Sequence, residues 1–351
     1  MKTVTKSGVK MSEKKYSKPF GNLNSMKQTF FNDNDGMLAK ADKMADILLS
    51  QPERTNCKIC GAKLPGVFFT SHKIGYKKCD VCGHLNSECE DNDEFASKVY
   101  VEDDYSKNYS AKDKESYRKR LESIYIPKAQ YLYDCLKKEG IKDINILDIG
   151  AGCGYFALAS KELGMNAKGI EVSPSEVEYG NKMAGENILT RVGLTDSIDY
   201  IKNTDCNVIS AIGVLEHLTH LDENIDAIKE NENIKYVYAS VPMFSFSCAF
   251  EAANQECYNR HMGGTHTHLF TNESIRYMAE KMGFSVEYEW RFGSDINDLY
   301  RFLRVSIEKN GSAEFADFFA EKFVPLLDRL QNVLDESDFS SELHFILKRK
   351  N

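Results

Sequence analysis

From Ile144 onward, short apolar runs alternate with amphipathic stretches, a rhythm that predicts a parallel, doubly wound α/β sheet. Residues 144–149 read as a first strand, Tyr155 opens a helical stretch, and a second strand ends on Glu171. Ser173-Pro174 suits the N-cap and first turn of a helix running to about Met183. Strands follow at 187–193 and in the segment from Cys206 to Gly213, then a helix through Ile225 and Ile228 and a strand at 235–242. A helix from Asn272 leads to a strand at 285–292, a helical elaboration occupies about 311–335, and 341–350 should close the sheet.

Upstream the pattern changes. Residues 1–35 are polar, without sustained periodicity, and read as a mobile arm. Met37, Leu38, Ala41, Met44, Ala45 and Leu48 then share one helical face, which can pack on the main body or on a second subunit; a homodimer is therefore one expectation. The resulting division is arm and helix to residue 50, a cysteine-bearing module at 51–98, a tyrosine-rich link with helices at 99–143, and the α/β domain at 144–351.

The module carries Cys57-x-x-Cys60 and Cys79-x-x-Cys82, each pair followed by a glycine, Gly61 and Gly83. This is the two-knuckle spacing of a zinc ribbon. Four thiolates complete a tetrahedral zinc shell with no open position, so a structural Zn2+ is predicted, with His84 and Cys89 as bystanders. Two C-x-x-C pairs among ten cysteines fit a reducing compartment better than a disulfide framework.

The first strand runs into Gly150-Ala-Gly152-Cys-Gly154. Glycines let a backbone turn sharply and let a ligand approach it, and the following helix directs free N–H groups toward that ligand. Gly152-x-Gly154-x-x-Ala157 also satisfies the dinucleotide-binding pattern, but it starts two residues further from the strand than that turn does. Asp148, two residues before Gly150, suits a zwitterionic amino acid and would repel a pyrophosphate.

The D-x-G-x-G-x-G run formed by Asp148, Gly150, Gly152 and Gly154 resembles the first motif of class I S-adenosylmethionine-dependent methyltransferases. The resemblance implies a Rossmann-like methyltransferase sheet behind a small N-terminal zinc ribbon, and S-adenosylmethionine as cofactor. It implies Asp148 near the methionine ammonium, Glu171 on the ribose hydroxyls, and the turn at Thr195 against adenine. The V-L-E-H sequence after Gly213, ending in Glu216-His217, strengthens it, because many members carry such a pair close to the transferred methyl. His217 is accordingly a catalytic candidate, with a locally satisfied helix-start residue as the alternative.

Two further stretches bear on the acceptor. Tyr100, Tyr105 and Tyr109 cluster in a loop, where Tyr105 and Tyr109 can contact a sugar or base or serve as packing anchors. After the strand at 235–242, His261, His266 and His268 gather around Gly263-Gly264. They can act as a general base, bind a substrate hydroxyl, or hold a metal. His268 and Thr271 also resemble an H-x-x-x-T start of the helix before the sixth strand, with Thr271 as its cap.

Composition narrows the partners. Apolar residues make up 42% of the 351 positions and charged ones 28%, enough for a substantial core. A net charge of −8 gives no footprint for nucleic acid or an anionic membrane surface, and no apolar run approaches the about 18 residues of a membrane span. Ribbon, tyrosine-rich link and histidine loop together resemble bacterial methyltransferases that modify nucleotide-linked sugars. That implies methyl transfer to a small polar acceptor, a sugar or nucleotide sugar, in a cytoplasmic enzyme. The alternatives are a zinc-ribbon scaffold with a degenerate cofactor domain, or a nucleic-acid methyltransferase.

Overall fold

A computed structural model describes residues 12–18, 33–101, 113–258, 261–262 and 266–350. Strand β1 (Glu13–Tyr16) precedes a helix at Asn34–Leu49. Strands β2 (Phe69–Ser71), β3 (Ile74–Lys78) and β4 (Leu85–Ser87) follow, with β5 (Asn145–Ile149), β6 (Asn166–Glu171), β7 (Leu189–Arg191), β8 (Val208–Ile212) and β9 (Tyr236–Pro242) in the α/β region. The last strands are β10 (His268–Leu269), β11 (Phe284–Phe292) and β12 (Glu342–Arg349).

The main sheet has eight strands in the order β1-β11-β12-β9-β8-β5-β6-β7. Its centre is parallel, as the alternating pattern requires, while β12 runs antiparallel to both β9 and β11. From β5 the chain winds outward through β6 and β7, then returns to lay β8 on the other side of β5. The reversal opens a crevice at the carboxyl ends of β5 and β8, where ligands bind in open α/β sheets. Helices on both faces bury two apolar layers, one around Ile149, Ile209 and Val237, the other around Ile146, Phe156 and Tyr238.

Two elements depart from the sequence expectation. Residues 13–16, placed in an irregular arm, form β1 in parallel with β11. The segment is polar, so its pairing rests on backbone hydrogen bonds and on Lys15 lying 3.9 Å from the Trp290 ring centroid, neither of which leaves an apolar signature. The ribbon is also less separate than expected. Its four-stranded sheet, β10-β4-β3-β2, takes β10 from the loop after β9, and Cys57, Cys79 and Cys82 pack in the same apolar layer as the main sheet. The helix at Asn34–Leu49 lays Ala45 and Leu48 against Ile74, Tyr76 and Leu85 of the ribbon, so this part of its apolar face packs within the chain.

Candidate active site

The turn after β5 holds Gly150, Gly152 and Gly154 at φ of +60°, +53° and +72°, conformations that disfavour any side chain. It is tied to β6 by a bond from the Ala151 amide to the Ile170 carbonyl at 3.0 Å. The Gly152 amide donates to Glu171 Oε2 at 2.9 Å, and Glu171 Oε1 accepts from the amides of Val172 at 2.7 Å and Ser173 at 2.9 Å. Three backbone donors lock this carboxylate at the end of β6. With about four lone-pair directions on two oxygens, it keeps acceptor capacity for a ligand hydroxyl.

Asp148 is buried on β5 and accepts a 2.6 Å hydrogen bond from the Ser210 hydroxyl of β8. Burial pushes its carboxyl up to about 7, against the pull of Ser210 and with a push from Glu171. Burial and the Glu171 charge likewise raise Glu176 to about 7. These acids border one cavity of about 420 Å³, together with Gly150, Gly152 and Gly213. A site with this many carboxyls favours a cationic ligand and disfavours a phosphate.

Asp148→Asn tests this. The folded carboxyl holds a proton up to about pH 7, while the unfolded one releases it near pH 4, so wild-type stability falls as pH rises through that window. Asparagine keeps the oxygen that accepts from Ser210 and removes the slope. The ligand-free variant is expected to gain about 1–3 kcal/mol over wild type at pH 8 and nothing at pH 4, read by denaturant unfolding. Its affinity for a cationic cofactor should fall at least about tenfold. Equal affinity of the two proteins would remove Asp148 from the binding site.

The opposite wall comes from a π-helical turn, Leu121–Tyr125, between the helices Lys114–Arg120 and Ile126–Lys138. Such turns frequently mark functional sites. Here the turn and its junction bring Arg120 and Tyr125 into the cavity. Tyr155 stacks between Tyr125 and Tyr117 at centroid distances of 4.9 and 4.2 Å, and the Arg120 guanidinium lies 5.4 Å from the Tyr155 ring.

Beyond Gly213 a 3-10 turn, Leu215–His217, carries Glu216 and His217 to the far end of the cavity, where His266 meets them. The two imidazole rings are 5.4 Å apart. Glu216 is 3% exposed, its Oε2 is buried without a hydrogen-bond partner among the described residues, and burial pushes the carboxyl up to about 8. His266 Nδ1 donates to the His261 carbonyl at 2.7 Å, which fixes the ring and leaves Nε2 as its lone-pair nitrogen.

The four histidine candidates therefore separate. His217 and His266 line the cavity; His261 and His268 do not. His261 donates from Nε2 to the Met243 carbonyl at 2.6 Å and holds the loop to the end of β9. His268, in β10, meets His84 at 2.9 Å beneath the ribbon, and burial lowers the basicity of both imidazoles, His84 to about 3. Neither His261 nor His268 borders the cavity, so neither is placed to reach an acceptor bound there. Thr271 caps the next helix in a reciprocal pair with Ser274.

Two cofactor candidates, Gly154 and Thr195, lie outside the cavity wall. Gly154 N-caps the helix Tyr155–Glu162 in a left-handed conformation, where a Cβ would stand 3.1 Å from Ile188 and 3.2 Å from Leu189; its glycine serves packing. Thr195 precedes the helix Asp196–Asn203 and is outside the cavity wall, which its neighbours Gly193, Leu194 and Ser197 supply. Tyr105 and Tyr109 lie outside the described residues.

The Sγ atoms of Cys57, Cys60, Cys79 and Cys82 all lie within 4.8 Å of one another, with Cys57–Cys82 and Cys60–Cys79 each at 3.5 Å. Those separations are too long for disulfides, and zinc–sulfur bonds of about 2.3 Å in a tetrahedron span comparable distances. Gly61 and Gly83 share the same φ of +72°, and their amides bond back to the Cys57 and Cys79 carbonyls at 2.8 and 2.9 Å. The donor set and the paired turns fit a zinc ion.

A buried ionic network ties this module to the histidine loop. Asp91 pairs with Arg54 and with Lys58 at 2.5 Å, and accepts from the Thr267 hydroxyl at 2.5 Å. The Ser87 amide donates to the Thr267 carbonyl at 2.8 Å. Thr267 is thereby pinned directly beside His266. Sequence reading did not single out Arg120, Tyr125, Tyr155, Glu176 or Ser210 as site residues, and quoted Glu216 only within its motif; only Glu216 carried a local signal.

Residues 117–289 match the family model described as a methyltransferase domain. No curated protein matches the chain. Among solved structures, it is similar to magnesium protoporphyrin IX methyltransferase from Synechocystis PCC 6803, with 11% identity over 64% of this chain and 83% of that one and a TM-score of 0.40. It is also similar to the methyltransferase domain of bacterial CtHen1, at 15% identity over 64% and 98% of the two chains and a TM-score of 0.42. A third is a SAM-dependent methyltransferase from Archaeoglobus fulgidus, at 14% identity over 63% and 94% and a TM-score of 0.37. With a methyltransferase domain over residues 117–289, the chain is an enzyme of the methyltransferase type. Its methyltransferase domain includes the glycine turn, both carboxylates at the strand ends, and the cavity histidines.

Proposed function

We propose that this enzyme transfers a methyl group from S-adenosylmethionine to a small polar acceptor, a sugar or nucleotide-linked sugar, with a structural Zn2+ in the Cys57, Cys60, Cys79 and Cys82 ribbon. The observation that carries the reading is the division of the cavity: carboxyls and the glycine turn at the β5–β6 end, and Glu216, His217 and His266 at the end beyond β8. The first end matches a cation with hydroxyls, the second a polar nucleophile.

The bound cofactor supplies a sulfonium methyl that is already activated for displacement. The chain's own part is alignment, which can contribute several kcal/mol. Asp148 holds the ammonium end, Glu171 takes a ribose hydroxyl, and the Gly152 backbone leaves the ligand room. At the other end His266, oriented through Nδ1, accepts the acceptor's proton at Nε2, with His217 beside it. Tyr125, Tyr155 and Arg120 supply a stacking wall suited to an aromatic base or the apolar face of a sugar.

Incubation of the zinc-loaded protein with methyl-labelled S-adenosylmethionine and a panel of nucleotide sugars is expected to label a sugar, with at least about a 100-fold loss in kcat for His266→Ala. Label in nucleic acid and in no sugar would overturn the acceptor class.

A further inference from the structure

We infer that Glu216, His217 and His266 form a second metal site, distinct from the four cysteines, that binds a divalent first-row transition cation at the acceptor end of the cavity. One carboxylate oxygen of Glu216 and one nitrogen from each imidazole all lie within 4.8 Å of one another, close enough for a single ion to bridge them. The residues come from two loops, after β8 and after β9, 50 positions apart in sequence.

Proximity is supported by two independent features. Glu216 Oε1 stands 4.0 Å from His217 Nε2, while its other oxygen, Oε2, is buried without a hydrogen-bond partner among the described residues, on a side chain 3% exposed in a residue that lines the cavity. A buried carboxylate with one oxygen unpartnered is costly, and a cation held by that carboxylate offsets the cost. His266 has its Nδ1 committed to the His261 carbonyl at 2.7 Å, the outer hydrogen bond that metal-ligating imidazoles use to fix their tautomer. His261 is in turn held by Met243, and neighbouring Thr267 by Asp91 and Ser87, so the loop is braced from several sides.

Two imidazoles and one carboxylate suit manganese, iron, cobalt or zinc, and three protein ligands leave positions open toward the cavity. An acceptor hydroxyl bound in an open position becomes more acidic, which makes its oxygen a nucleophile at neutral pH. With the cation bound, His266 Nε2 is a ligand and gives up the base role it has in the metal-free site: the proton goes to solvent water, the oxygen attacks the methyl carbon, and the carbon–sulfur bond breaks with its electron pair on sulfur. This role for the cation rests on the acceptor pocket proposed above; the metal site itself does not.

The test uses the full chain carrying a single zinc per chain, so that the second site starts empty, with Mn2+ as probe, because hard Mn2+ does not displace zinc from four thiolates. Loss of the free-ion paramagnetic resonance signal is expected to show one Mn2+ bound per chain, with cofactor present or absent. Glu216→Gln and His266→Ala should each weaken binding at least tenfold at unchanged zinc content. Either variant alone serves if the other fails to fold. No Mn2+ binding by wild type, or equal binding by both variants, would overturn the site. Mn2+ binding without cofactor binding would instead overturn the methyl-transfer reading and leave the cation site standing.

Discussion

Cys79→Ser is expected to lower the thermal midpoint by about 10 °C or more, reduce zinc to well under one ion per chain, and remove most methyl transfer while leaving cofactor affinity within a few-fold of wild type. Structural zinc supplies folding free energy outright, about 10–16 kcal/mol in isolated finger peptides. Here the ribbon is already packed on the main sheet, through Cys57, Ile59 and Cys82 in its apolar layer, so the loss is a fraction of that figure. The activity loss has a different origin. β10 pairs with β4, Asp91 anchors Thr267, and a loosened ribbon frees His266 from its place in the cavity. The hydrogen bonds that hold the glycine turn and Glu171 run within β5–β6 and the segments that follow them, not to the ribbon, hence the retained affinity. Wild-type stability in C79S, or a zinc-free wild type, would contradict the ribbon.

Gly152→Val is expected to abolish measurable S-adenosylmethionine binding, a loss of at least about 100-fold or ~3 kcal/mol, with only about 1–2 kcal/mol of lost stability. At φ +53° a valine is strained, but a Cβ there meets no protein atom nearer than Glu176 Oε2 at 3.6 Å. The side chain therefore projects into the cavity without disturbing the fold. Gly150 and Gly180 provide the contrast. A Cβ on Gly150 would stand 2.9 Å from both Val214 methyls, and one on Gly180 2.7 Å from the Cys153 carbonyl oxygen, so alanine at either position should damage packing first. Unchanged calorimetric affinity in G152V would mean the cavity binds something else.

What the sequence shows and what it conceals follows from distance along the chain. The cofactor end is local: Asp148, the glycines and Glu171 fall within 24 residues, each required by the turn it sits in. The four cysteines are likewise legible, because metal geometry imposes its own spacing. The acceptor end is not local. Glu216 was visible in its motif, but nothing in sequence shows that a loop 50 residues on returns His266 to it. Without that carboxylate in view, the histidine cluster looks equally able to do several jobs. Strand β10 has two residues and β1 is Glu-Lys-Lys-Tyr, so neither has a periodicity to read. The π-helical turn that aims Tyr125 into the cavity has no sequence signature, since its residues are those of an ordinary helix.

Strand β1 also equips the molecule with an optical probe. The chain has one tryptophan, Trp290, and it is 3% exposed. Its indole N–H donates to the Ser17 carbonyl at 3.0 Å, and the Lys15 ammonium sits over its ring. Both contacts come from the segment that adds β1 to the sheet edge. Intrinsic emission thus reports whether the N-terminal strand is docked, and peeling it away should shift the spectrum to the red before the core unfolds.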